Sequence, residues 1–94
     1  ARNYHCRGGE IDLIMRDDTV LVFIEVRFRR NAQFGSALES VDYIKQSRLI
    51  HTAEHYLQRQ TVQYSSCRFD VVAVSPSSTK GLELEWVRNA FDLG

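Results

Sequence analysis

The sequence predicts an α/β fold: a mixed β-sheet with a strand–helix–strand crossover. Three observations predict it. Two β-like segments, residues 10–16 and 19–28, follow one another across Asp17-Asp18. Next comes an apolar stripe at helical spacing, Leu49, Ile50, Ala53, Tyr56 and Leu57. After it, Arg68-Phe69-Asp70-Val71-Val72-Ala73-Val74 resumes the strand pattern.

Taken in order, residues 2–7 alternate weakly before the breaker pair Gly8-Gly9 and read as a short strand. Residues 10–16 alternate acid and apolar side chains, then close on Arg16. Residues 19–28 are apolar at consecutive positions, as in a strand covered on both faces. Residues 29–40 are rich in polar side chains and read as a loop around Phe34-Gly35-Ser36. Asp42 is the expected N-cap of the helix. Its stripe, extended one turn back, directs Lys45 and Gln46 toward the sheet and puts Ile44, His51 and His55 on the opposite face. Residues 75–81 carry loop chemistry, and residues 82–87 alternate as a final strand with one wet face. Asn89-Ala90-Phe91 reads as a short terminal turn or helix. The strands flanking the helix are expected to be parallel, through a right-handed crossover.

The 94 residues suit a single domain, residues 1–94, with a core of modest size. A hydrophobic fraction of 44% without low-complexity tracts excludes disorder. No apolar run approaches the ~20 residues of a membrane span, and no signal peptide is read, so the expectation is cytoplasmic with no membrane partner. The chain opens on Ala1-Arg2-Asn3-Tyr4, already strand-like, which predicts a natural segment before it. Cys6 and Cys67 lack metal-ligand spacing and read as buried thiols, with a disulfide as the alternative. Twelve basic residues balance twelve acidic ones, which weighs against strong electrostatic binding of nucleic acid. The bases are nevertheless mostly Arg, and Arg27, Arg29 and Arg30 cluster.

The acids carry the interest. With Asp17-Asp18 as a two-residue turn, Arg16 pairs with Thr19. Asp12 then lies opposite Phe23 and Glu10 opposite Glu25, so Glu10, Asp12, Phe23, Glu25 and Arg27 share one face. Asp12 and Glu25 become diagonal neighbours within joint reach of one ion. A slip of one residue would separate them, so the site depends on register. An ion pair with Arg27 or Arg16 would also accommodate Glu25 within its apolar run. His51 and His55 have ligand spacing but no third partner, and read as surface residues. Asp70 reads as structural, and Trp86 as core or interface.

Gly9-Glu10-Ile11-Asp12-Leu13-Ile14, Phe23-Ile24-Glu25-Val26-Arg27, Lys45, Ala53, Tyr56-Leu57 and Arg68-Phe69-Asp70-Val71-Val72 together resemble the bacterial YraN-like family of uncharacterised proteins, over nearly the whole chain. That family is similar to the restriction-endonuclease-like superfamily, near archaeal Holliday-junction resolvases. The resemblance implies a core of helix, three strands, helix and strand, of which the first helix is absent from this chain. It also implies a motif of Asp, a gap, then Asp or Glu, any residue, and Lys. Asp12 and Glu25 match the acids, and the Val26 carbonyl matches a backbone metal ligand. Arg27 stands where the motif has Lys.

The resemblance implies Mg²⁺ or Mn²⁺ at Asp12, Glu25 and Val26, with Glu10 in support. It implies a DNA substrate, branched DNA included, and allows a homodimer, since resolvase substrates are two-fold symmetric. Arg27 can stabilise transition-state charge but cannot act as a base, because its guanidinium stays protonated. Lys45 is the expected replacement for the motif amine. Arg27, Arg29, Arg30, Lys45 and Arg48 are the expected nucleic-acid contacts. Three functions are carried forward: a metal-dependent endodeoxyribonuclease, a nucleic-acid-binding module without turnover, and a protein-interaction domain.

Overall fold

The structure is a computed structural model that describes residues 1–29, 41–77, 79 and 81–91. Five strands and one helix follow the expected order: β1 (Arg2–Cys6), β2 (Gly9–Asp17), β3 (Val20–Phe28), α1 (Tyr43–Arg59), β4 (Ser66–Ser77) and β5 (Gly81–Phe91). They form one sheet in the order β1-β2-β3-β4-β5. Only β3 and β4 run parallel, with α1 as the crossover between them; the other pairs are antiparallel. The expected mixed α/β sheet is therefore present. Residues 30–40, which include the expected loop and Arg30, lie outside the described residues.

Strand β4 is central and buried on both faces from Phe69 to Ser75. That is the burial a parallel pair requires. One face packs on α1, where Ile11, Ile14, Leu21, Phe23, Phe69 and Val71 meet Val41, Leu49 and Ala53. Val22, Ile24, Val72 and Val74 cluster on the other face, with Leu13 and Val26 beside them. The aromatic rings of Phe23, Phe69 and Phe91 stack in series across the α1 face, at 5.3 and 4.7 Å between centroids.

Several boundaries differ from the sequence reading. Asp17 pairs with Val20 and Arg16 with Leu21, so the turn is Asp18-Thr19 and the register slips by two residues. Asp18 takes a left-handed φ of 57°, a conformation Asp tolerates in turns. An even slip preserves which face each side chain occupies, so the candidate acids survive it. At the far end, β4 and β5 extend through Ser77 and Gly81, because the hairpin pairs right up to its tip. The predicted terminal turn or helix at residues 89–91 is instead strand. Phe91 pairs with Phe69 past an irregularity, and Asn89 sits at φ 52°.

Asp42 caps α1 as expected, accepting the Lys45 N–H at 2.9 Å. Of the two histidines read as surface residues, His51 is exposed as expected and His55 is not. His55 is half-buried, its Nδ1 2.6 Å from the Tyr4 hydroxyl, and the His51 ring lies beside Gly8. Strand β1 reaches up along this flank of the helix, which the stripe alone did not indicate. Gly8-Gly9 is correspondingly more than a breaker. A β-carbon on Gly8 would come within 2.6 Å of the His51 ring, and one on Gly9 within 3.0 Å of Thr52 Oγ1.

Candidate metal centre

The site sits where β2 parts from β3. Their pairing runs from Asp17↔Val20 to Leu13↔Ile24 and stops there. Ile11 and Ile14, three apart, both pack toward α1, whereas Leu13 packs on the other face. Strict alternation is therefore broken at Asp12-Leu13. This corrects the expectation that Glu10, Asp12 and Glu25 stand in one row. Asp12 instead reaches across the gap, and its Oδ2 accepts the Val26 N–H at 2.8 Å. A strand residue's N–H and C=O point to the same neighbour, so the Val26 carbonyl is directed at that gap too.

Glu25 and Asp12 meet there. Burial pushes the Glu25 carboxyl up to about 7, and hydrogen bonding and repulsion from the Asp12 carboxyl add to the rise. Arg27 and Lys45 act in the opposite direction. Arg27 Nη1 lies 3.6 Å from Glu25 Oε2, with the two side chains 30% and 17% exposed. The ion pair weighed for Glu25 therefore exists with Arg27. Arg16 takes no part, since it donates to the carbonyls of Asp18 and Gln63.

An open cleft of about 220 Å³ adjoins Glu25 and Arg27 and is lined by them with Gly9, Glu10, Lys45, Arg48 and Leu49; Asp12 does not line it. Strand β3 supplies Glu25 and Arg27, two apart on one face. The first turns of α1 supply Lys45, as the helical stripe requires, and Arg48, which the stripe does not include. Gln46 is half-buried but spends its amide on the Val41 carbonyl at 3.1 Å. Glu10 is exposed at the rim, 3.2 Å from His5. Arg29 lies outside the cleft, 3.3 Å from Glu85. Among the described residues, no three His, Cys, Asp or Glu side chains gather as a metal-binding group.

Thr52 is a supporting residue that sequence reading missed. It is fully buried, donates to the Arg48 carbonyl at 2.8 Å and faces the Cys6 thiol at 3.7 Å. It joins the Gly9 turn to the helix turn that carries Arg48. The Gly8-Gly9 pair was its available signal, because two adjacent glycines also mark a close approach of backbone. Cys6 and Cys67 are free and half-buried, not disulfide-bonded.

On the opposite sheet face, Asp70 accepts bonds from Arg68 Nε at 3.1 Å, Trp86 Nε1 at 2.9 Å and the Asn89 N–H at 2.9 Å. It is structural, as read from the sequence. Trp86 is half exposed, with its indole N–H anchored on that acid. No described helix is long and apolar enough to cross a membrane.

Comparison with known proteins places the chain. Residues 1–74 match the model of the uncharacterised protein family UPF0102. The UPF0102 protein of Nitrosococcus oceani is 56% identical over 92 residues, covering 96% of this chain and 73% of that protein. That of Nitrosomonas europaea is 53% identical over 91 residues, 97% of this chain and 75% of its own length. That of Saccharophagus degradans is 50% identical over 94 residues, 99% of this chain and 75% of the relative. Identity at this level across almost every residue described above means that the chain belongs to the UPF0102 family of bacterial proteins, the YraN-like family.

Proposed function

We propose that this chain is a divalent-metal-dependent nuclease domain acting on DNA, with branched or otherwise structured DNA as the substrate class. One observation carries the reading. Glu25 stands in a cleft with Glu10 and the cations Arg27, Lys45 and Arg48, and the Asp12 carboxyl, anchored on the Val26 N–H, lies near enough to raise the Glu25 carboxyl further. Like charges in contact are costly without a cation between them. Mg²⁺ or Mn²⁺ suits the donors present, because such ions take one or two carboxylates and keep several waters. Asp12, Glu25 and the Val26 carbonyl would hold the ion. Bound there, it supplies charge neutralisation at a phosphate and a more acidic water.

The remaining chemistry belongs to the side chains. Arg27 and Arg48 bind and orient phosphate oxygens, Arg with bidentate geometry. Lys45 supplies an amine that can hold or pass a proton, which a guanidinium cannot. Glu10 at the rim orients water. The fold is read as restriction-endonuclease-like on the same grounds: acids from β2 and β3, and a crossover helix delivering the amine.

A second reading, a DNA-binding module without turnover, is favoured by one feature. Arg27 occupies the motif position and is already paired with Glu25. The test is to incubate the full chain with branched, single-stranded and linear DNA plus Mn²⁺ or Mg²⁺, beside Glu25→Ala. Cleavage of branched DNA by the parent and not by the variant is expected. Cleavage that persists in the variant refutes the assignment, and salt-sensitive binding without cleavage supports the module. Lys45→Ala that cleaves and binds metal like the parent removes Lys45 from the mechanism.

A further inference from the structure

The overall charge is zero, yet the cations are not distributed like the acids. Arg68 and Arg88 are neutralised by Asp17 and Asp70, and Arg29 faces Glu85. Along the flank of α1 that meets β1 the pattern is different. Arg48, His51, His55 and Arg59 recur at steps of three, four and four residues, which keeps them on one line of the helix. His55 is held by Tyr4. Arg48, His51 and Arg59 are exposed, and so is Arg7 in the β1–β2 turn, one residue from the Gly8 that touches the His51 ring. Among the described residues none of Arg7, Arg48 and Arg59 has an ion-pair partner. The one acid of α1, Glu54, is exposed three residues after His51 and makes no ion pair with these arginines.

We propose that this line, Arg48–His51–Arg59 with Arg7 beside it, is a track for the phosphate backbone of a nucleic-acid strand whose scissile phosphate lies in the Glu25 cleft. The inference rests on the nuclease reading of that cleft and extends it to the path of the substrate. Arg48 belongs to both, so the track begins at the cleft wall. From Arg48 to Arg59 the helix rises about 16 Å, the axial length of about five nucleotides of one strand. Arg59 also suits the negative end of the helix dipole, a simpler role. Arg7 and Arg48 have no such structural task, and a line of arginines without ion-pair partners that ends at the cleft wall matches a polyanion.

The test measures affinity of the full chain for fluorescent branched DNA against salt concentration, without divalent ions. Arg7→Ala/Arg59→Ala should bind about tenfold more weakly at 0.1 M salt, with the log–log salt slope reduced by about two. Arg59→Lys, which keeps the cation both on the track and at the helix end, should restore most of its share, and Arg7→Ala alone, at a position with no helix-end role, should lower the slope by about one. Arg88→Ala, near the opposite edge, should bind like the parent. Unchanged affinity and slope in the double variant, with weakened binding by Lys45→Ala, overturns the track and leaves the cleft reading standing. If the parent itself fails to bind at low salt, both fall. Circular dichroism and melting of each variant exclude unfolding as the cause.

Discussion

Glu25 and Asp70 occupy neighbouring central strands, one register step apart, on opposite faces of the same sheet. Asp70 is 1% exposed and fully furnished: a guanidinium, an indole N–H and a backbone N–H all point at its oxygens. Glu25 has one cation at 3.6 Å and another acid in contact. The two acids differ in how fully their oxygens are partnered as well as in burial. A fully partnered buried acid specifies the fold, whereas on the metal reading proposed above the Glu25 carboxyl keeps capacity for a ligand.

The largest predicted effect breaks the finished network. Asp70→Ala would leave Arg68 and two N–H donors without their acceptor inside the sheet. Losing one partner of a buried charged network costs about 3–5 kcal/mol. Urea unfolding monitored through Trp86 fluorescence should show that loss. Glu25→Ala, measured the same way without divalent ions, should cost far less. Equal losses in the two variants would erase the distinction between the two acids.

The next effect is on the unfinished pair. In the folded protein Glu25 titrates at about 7, above its ordinary 4.5. A carboxyl raised on folding contributes stability that is present in full below its unfolded value and lost as pH rises through the folded one. The stability of the metal-free protein should thus fall between about pH 4.5 and 7, by on the order of 2–3 kcal/mol. Glu25→Gln should flatten that slope and be the more stable protein at pH 8. Mn²⁺ at ten times its dissociation constant should return about 1.4 kcal/mol to the parent at pH 8 and almost nothing to Glu25→Gln. A parent whose melting temperature ignores both pH and Mn²⁺ would show that the acids are not held as described.

The same two acids mark how far the sequence could be read. Element order, the parallel crossover and the Asp42 cap followed from apolar periodicity and cap chemistry, which are local. So did the placement of Lys45 beside the acids, because one helical turn fixes it. The register did not follow: whether the turn begins at Asp17 or Asp18 depends on a left-handed backbone that either Asp could adopt. The break in β2 at Asp12-Leu13 was also hidden, since alternation is the assumption behind any face assignment. His55 was misplaced for a third reason. A helical wheel shows which side chains share a flank, and says nothing of an edge strand folding against it. The role of Asp70 was legible only as "structural", since its partners come from β4 and from the irregular stretch of β5.

The smallest predicted effect tests whether the helix start belongs to the unfinished site or only supports it. Asp42 accepts the Lys45 N–H at 2.9 Å, and its own carbonyl accepts the Gln46 N–H at 2.9 Å. The first turn of α1 contains no acidic residue, so the Asp42 cap is the carboxylate that α1 and its cap supply at the positive end of the helix. Asp42→Ala should cost about 1 kcal/mol, and Asp42→Ser should recover most of it. The informative readout is the Glu25 titration followed by carboxyl-carbon NMR. Lys45 lowers the Glu25 value, and a frayed first turn would carry that ammonium away. In Asp42→Ala the midpoint should therefore rise further above 7, with Asp70 and its partners unperturbed. A lowered melting temperature with an unmoved midpoint would mean that Lys45 keeps its place without the cap, held by the packing of Leu49 and Ala53 alone.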